Sequence, residues 1–76
     1  MNYPDGQEIL VGDRILIDRG QRSGKVEVVV NTPKLRNDYY LDADEDGILV
    51  ESDFYGRVLI PSHAFQWDEV SLVARE

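Results

Sequence analysis

Lys25-Val26-Glu27-Val28-Val29-Val30-Asn31 is the stretch on which the fold turns. Val26, Val28 and Val30 alternate on one face, and Lys25, Glu27 and Val29 on the other. That period of two is expected of a strand buried on one side. Branching at Cβ also suits valine to a pleated strand. Upstream, residues 19–24 carry two glycines and read as a loop. Residues 14–18 before it read as a strand with Ile15 and Ile17 on its inner face. Earlier still, Ile9 to Val11 is a short apolar run between the Pro4-Asp5-Gly6 turn and Gly12-Asp13.

Downstream, residues 32–46 form the longest connection, and loops of this length in compact domains often carry function. Gly47 opens a strand with Ile48, Val50 and Ser52 inward and Leu49 and Glu51 outward. Tyr55-Gly56 marks a tight turn. Residues 57–60 return with Val58 and Ile60 inward, and Pro61 ends the strand because it cannot donate to a ladder. Residues 62–68 fit a single 3₁₀ turn, and residues 70–74 close the chain with Val70 and Leu72 inward. No segment has helical periodicity over three turns. The expected fold is all-β: one domain over residues 1–76, a small five-stranded SH3-like barrel with a short 3₁₀ turn before the last strand. An OB-fold fits less well, because only Tyr55-Gly56 occupies the junction where that fold carries a helix.

Seventy-six residues leave room for a thin core and one working face, with little room for a deep cleft. There is no cysteine, so neither a disulfide nor a thiolate site can form. No apolar run approaches the roughly 20 residues that span a membrane. Met1-Asn2-Tyr3-Pro4-Asp5 lacks the basic start and apolar stretch of a signal peptide. A cytoplasmic protein without a membrane role is expected.

Fifteen acids against eight bases give a net charge of −7. Its placement is uneven: residues 1–36 carry +1 and residues 37–76 carry −8. Seven acids lie between Asp38 and Asp53 with no base among them. Like charges this close repel unless a cation or basic partner relieves them. Asp42-Ala43-Asp44-Glu45-Asp46-Gly47 supplies the D-x-D-x-D-G opening of a calcium loop, with Asp53 at the twelfth position. Asp53 is shorter than the usual glutamate, Val50 fills the ninth position, and strands rather than helices flank the loop. Calcium binding is therefore a minor alternative, and no metal or other cofactor is expected.

Arg14, Arg19, Arg22 and Lys25 cluster around the first hairpin. Val11-Gly12-Asp13-Arg14-Ile15 with Gly24-Lys25-Val26 is similar to the KOW pattern of ribosomal and transcription proteins. No aromatic residue interleaves with these bases, and the overall charge repels phosphate, so nucleic acid is disfavoured. Gly20 to Val26 is one residue short of a phosphate loop and lacks its hydroxyl. His63 has no second histidine or cysteine for a metal. Adjacent Ser62 and His63 do not face each other on a strand. No catalytic residue is assigned and enzyme activity is not expected.

Phe54, Phe65 and Trp67 flank the last hairpin, where a small barrel needs bulk at its open end. Tyr39 and Tyr40 sit beside the acidic run, and rigid aromatic area ringed by charge makes a recognition surface. Tyr39, Tyr40, Asp42, Asp44, Glu45 and Asp46 are the expected partner-binding set. In the same alternation Val29, Leu49 and Leu59 face outward on three consecutive strands. They form a second candidate interface, suited to a protein contact or a homodimer.

The opening Tyr3-Pro4-Asp5-Gly6-Gln7-Glu8-Ile9-Leu10-Val11-Gly12-Asp13-Arg14-Ile15, with Gly24-Lys25-Val26, Gly47-Ile48-Leu49-Val50 and Gly56-Arg57-Val58, resembles small bacterial proteins of SH3-like design. Members look like immunity proteins of polymorphic toxin systems. Members usually have a tryptophan in the long loop; here Tyr39 and Tyr40 are there, and the only tryptophan is Trp67. The resemblance implies a non-enzymatic module that neutralises a basic toxin domain. The alternatives are a KOW-like RNA-binding module and a homodimeric assembly protein.

Overall fold

A computed structural model describes residues 1–75. Five strands, β1 (Arg14–Ile17), β2 (Arg22–Val30), β3 (Gly47–Ser52), β4 (Gly56–Pro61) and β5 (Ser71–Ala74), form one antiparallel sheet in the order β4-β3-β2-β1-β5. A 3₁₀ turn at Ser62–Ala64 precedes the last strand, as the turn signals indicate. The all-β reading with five strands therefore holds. Hydrogen bonding does not close the sheet, however: β4 and β5 share no ladder and both remain edges. Among the described residues no helix is long and apolar enough to cross a membrane.

The first hairpin is tighter than its glycines suggest. Asp18, Arg19 and Gly20 all take left-handed backbone angles. Gly20 N–H donates to Ile17 O and Gln21 N–H to Asp18 O, so β2 begins at Arg22 rather than after a loop. Gly24 consequently lies inside β2, opposite both Ile15 of β1 and Ser52 of β3. A Cβ there would stand 2.5 Å from Val50 Cγ1 and 3.0 Å from the Glu51 carbonyl oxygen, so only glycine lets the strands approach this closely.

A bulge then overturns part of the alternation read from the sequence. Val26 is opposite Val50, but Val28 is opposite Leu49, leaving Glu27 as the extra residue. One unpaired residue in a ladder of period two exchanges the faces beyond it. Val29 therefore faces Ile48 and packs against the core, while Val28 joins Leu49 and Leu59 outside. Val30, opposite Gly47 on this outer side, is nevertheless fully buried.

The core combines Ile15, Ile17, Val26, Ile48, Val50 and Ile60 from the sheet with Tyr3, Ile9, Phe65 and Val70. Of the three aromatics expected to close the end, only Phe65 is buried; Phe54 and Trp67 are 63% and 79% exposed. Ile9 reaches the core without a strand of its own. Its N–H donates to Met1 O, and a single bridge joins Asn2 to Glu8 around the Pro4–Gly6 turn. Behind this turn Tyr3 Oη donates to Asp13 Oδ2 at 2.6 Å, and Leu10 N–H donates to the same oxygen at 3.0 Å. Arg75 Nε lies 3.5 Å from the other Asp13 oxygen, and its guanidinium also donates to Glu8 O. Burial, then the bond to Asp13, pushes the Tyr3 phenol well above its ordinary pKa.

The long connection is not wholly irregular. Residues Pro33–Asp38 form the one-and-a-half-turn helix α1. Thr32 Oγ1 caps it by accepting Leu35 N–H at 3.2 Å, and Pro33 takes the first helical position, where its missing donor costs nothing. Thr32-Pro33 is a helix-start signal, but six residues are too few to show helical periodicity.

Candidate protein-binding surfaces

The six residues of the acidic loop divide by orientation. Helix α1 ends in a Schellman motif: Leu41 N–H donates to Arg36 O and Tyr40 N–H to Asn37 O. Tyr40 occupies the position where glycine is usual, with φ of +61°. Its side chain is 95% exposed, whereas Tyr39 is half-buried at the helix C-cap. A tyrosine held left-handed costs about 1 kcal/mol relative to glycine. At 95% exposure the ring buries almost no area to offset that cost. Strain of this kind gathers at functional positions.

Glu45 and Asp46 turn inward and anchor the loop. Glu45 Oε1 accepts Ser62 Oγ–H at 2.9 Å and the His63 N–H at 3.1 Å, and His63 Nδ1 lies 3.1 Å away. The His63 N–H foremost, with smaller help from the Ser62 hydroxyl and the His63 ring, holds Glu45 below the usual carboxylate range. Asp46 Oδ1 accepts from Arg36 at 2.6 Å, and its carbonyl accepts Ser62 N–H. Asp42 and Asp44 are exposed and have no side-chain partner among the described residues. Glu45 and Asp46 thus hold the loop while Tyr40, Asp42 and Asp44 present a surface.

The same division disperses the candidate calcium ligands. Asp46 is committed to Arg36, and Asp53 stands beyond the far end of β3, accepting from Ser23 Oγ. Ser62 and His63 are likewise committed to Glu45 rather than to each other.

On the outer face of the sheet, Val29 leaves the expected set of Val29, Leu49 and Leu59 because of the bulge. Val28, Leu49 and Leu59 form the actual row, all three half-buried. Lys25, Glu51 and Arg57 make the next row, and Arg57 Nε lies 3.3 Å from Glu27 Oε1.

One cluster was invisible to sequence reading. The β3–β4 turn carries Phe54 and Tyr55 to the basic first hairpin, where the Arg22 guanidinium lies 4.0 Å from the Phe54 ring centroid. The two rings meet edge to face at 5.0 Å. Tyr55 Oη donates to Asp18 Oδ2 at 2.8 Å, and that bond pushes the Tyr55 pKa up. About thirty positions separate Arg22 from Phe54, so only the pairing of β2 with β3 unites them.

No protein-family model matches the chain, and no curated protein or solved structure shows significant similarity to it.

Proposed function

We propose that this protein is a non-enzymatic protein-binding module whose loop at Tyr40, Asp42 and Asp44 engages a basic partner. The reading rests on one observation above all: Tyr40 is strained, almost fully exposed and followed by two exposed carboxylates, Asp42 and Asp44, with no side-chain partner among the described residues. A rigid aromatic anchor beside fixed negative charge suits a cationic cleft and speeds association. Within this reading, the partner class that agrees with the sequence resemblance is a basic toxin domain, with this chain as its cytoplasmic immunity protein.

The test is neutralisation of the toxin domain encoded by a neighbouring gene, with affinity followed by calorimetry as salt is raised. Steeply salt-weakened binding is expected, with most of that dependence lost in Asp42→Asn/Asp44→Asn. Salt-independent affinity, or full protection by Tyr40→Ala/Asp42→Asn/Asp44→Asn, would remove the mechanism.

The Arg22–Phe54 stack favours a second reading, an RNA-binding module using Arg14, Arg19, Arg22 and Lys25. It supplies the aromatic neighbours that the basic hairpin lacks in sequence. Retention of structured RNA on a filter at low salt, lost in Arg22→Ala/Phe54→Ala, separates the two.

A further inference from the structure

Strand β4 is an edge, and among the described residues its only ladder is with β3. Exposed edges invite pairing with another chain unless charge, proline or a covering segment guards them. The guards on β4 stand at its ends: Arg57, drawn toward Glu27, and Pro61. Between them Val58-Leu59-Ile60 carries no charge.

A cavity of about 280 Å³ lies beside this edge, lined by Ile17, Asp18, Tyr55, Val58, Ile60 and Asp68. Val58 and Ile60 are alternate residues on the inner face of β4, so the cavity sits where an added strand would place an inward side chain. Ile17 completes an apolar floor. Asp18 and Asp68 line it too: Tyr55 Oη donates to the Asp18 carboxylate, and the Arg19 N–H donates to the main-chain carbonyl of Asp68.

We propose that β4 and this cavity form a docking site for an extended basic segment of a partner protein, bound by strand addition. Main-chain bonds to β4 supply affinity, an aliphatic side chain fills the cavity, and lysine or arginine residues two positions to either side, on the same face, meet Asp18 and Asp68. Charge selects this occupant over a second copy of the chain. Two copies paired edge to edge would bring two acidic rims together at a net charge of −7 each. The site stands apart from the Tyr40 loop, which joins the chain at Ser62 beyond the opposite end of β4, and it does not depend on the function proposed for that loop.

The probe is a short, end-blocked peptide with a central valine and a lysine two positions to either side of it, spaced by threonines, added to the full chain. Among residues 58–60, exchange is expected to slow at the amides that point away from β3. Affinity in Asp18→Asn/Asp68→Asn should fall about tenfold, which corresponds to ~1.4 kcal/mol. Asparagine tolerates the left-handed backbone at position 18, so that variant should keep its fold. A peptide N-methylated along its pairing edge should not bind, and Tyr40→Ala should bind as the parent does. The proposal is overturned if exchange slows only at residues 40–46, or if the same peptide with glutamate in place of lysine binds equally well. Concentration-dependent dimerisation that protects the same outward amides without peptide would overturn it too, by naming a second copy as the occupant.

Discussion

Asp13 and the 42–46 loop use the same functional group to opposite ends. Asp13 is a single acid, 2% exposed, gripped by Tyr3 Oη, Leu10 N–H and the Arg75 guanidinium. The loop holds four acids, two bonded inward and two left to solvent. The carboxylate of lower exposure ties the N-terminal turn and the chain end to the sheet. Those of higher exposure, Asp42 and Asp44, hold no side chain among the described residues. Counting charges therefore does not locate a functional surface; burial and partners do.

The contrast breaks most visibly at Asp13. Asp13→Ala leaves a buried hydroxyl, an amide and a guanidinium without their acceptor, and should cost about 3 kcal/mol or more in urea unfolding. A cost below ~1 kcal/mol would put Asp13 in the same class as the loop acids. Its partner Tyr3 sets an alkaline limb. Its raised pKa means that the unfolded chain releases the phenolic proton first, so stability should fall as pH rises above about 10. Tyr3→Phe should flatten that slope in thermal melts across alkaline pH.

Glu45 should fall between the extremes. Glu45→Gln weakens charge-assisted bonds from Ser62 and His63 and should cost about 1 kcal/mol. The depressed pKa of Glu45 means that its stabilisation is present above the ordinary carboxylate range and is lost as pH falls through and below it. The variant's acid limb should accordingly be shallower than the parent's.

Tyr40→Gly should move stability the other way, raising it by about 1 kcal/mol by chemical denaturation while weakening partner binding. A stabilised variant with unchanged binding would make Tyr40 a defect rather than an anchor. The smallest effect belongs to Asp42→Asn/Asp44→Asn, which should shift stability by less than about 0.5 kcal/mol. A larger loss would show that these acids, like Asp13, serve the fold.

Much of the architecture is legible in local chemistry. The valines of β2, the inward Ile48 and Val50, and the turn at Tyr55-Gly56 place the central strands correctly. The N-terminal pattern that carries the family resemblance proves to be structural. Tyr3, Ile9 and Asp13 are buried, and Gly6 and Gly12 have positive φ, so the motif specifies a folded corner rather than a partner. The helix α1 had its signal in Thr32-Pro33 but too few residues to display a period.

The candidate surfaces were less legible, because each depends on something no local pattern encodes. By itself the sequence determined that alternating β-branched residues would build an all-β domain, and that most of its excess acid would fall in one loop and the strand after it. Only the tertiary structure decided that Glu27 bulges and turns Val29 inward. It also decided that Arg22 meets Phe54, that Glu45 and Asp46 bond inward while Asp42 and Asp44 do not, and that β4 remains an unpaired edge. Periodicity is a property of neighbours along the chain. A ladder's register, a long-range ion pair and the failure of a sheet to close are settled only when distant segments compete for the same partners.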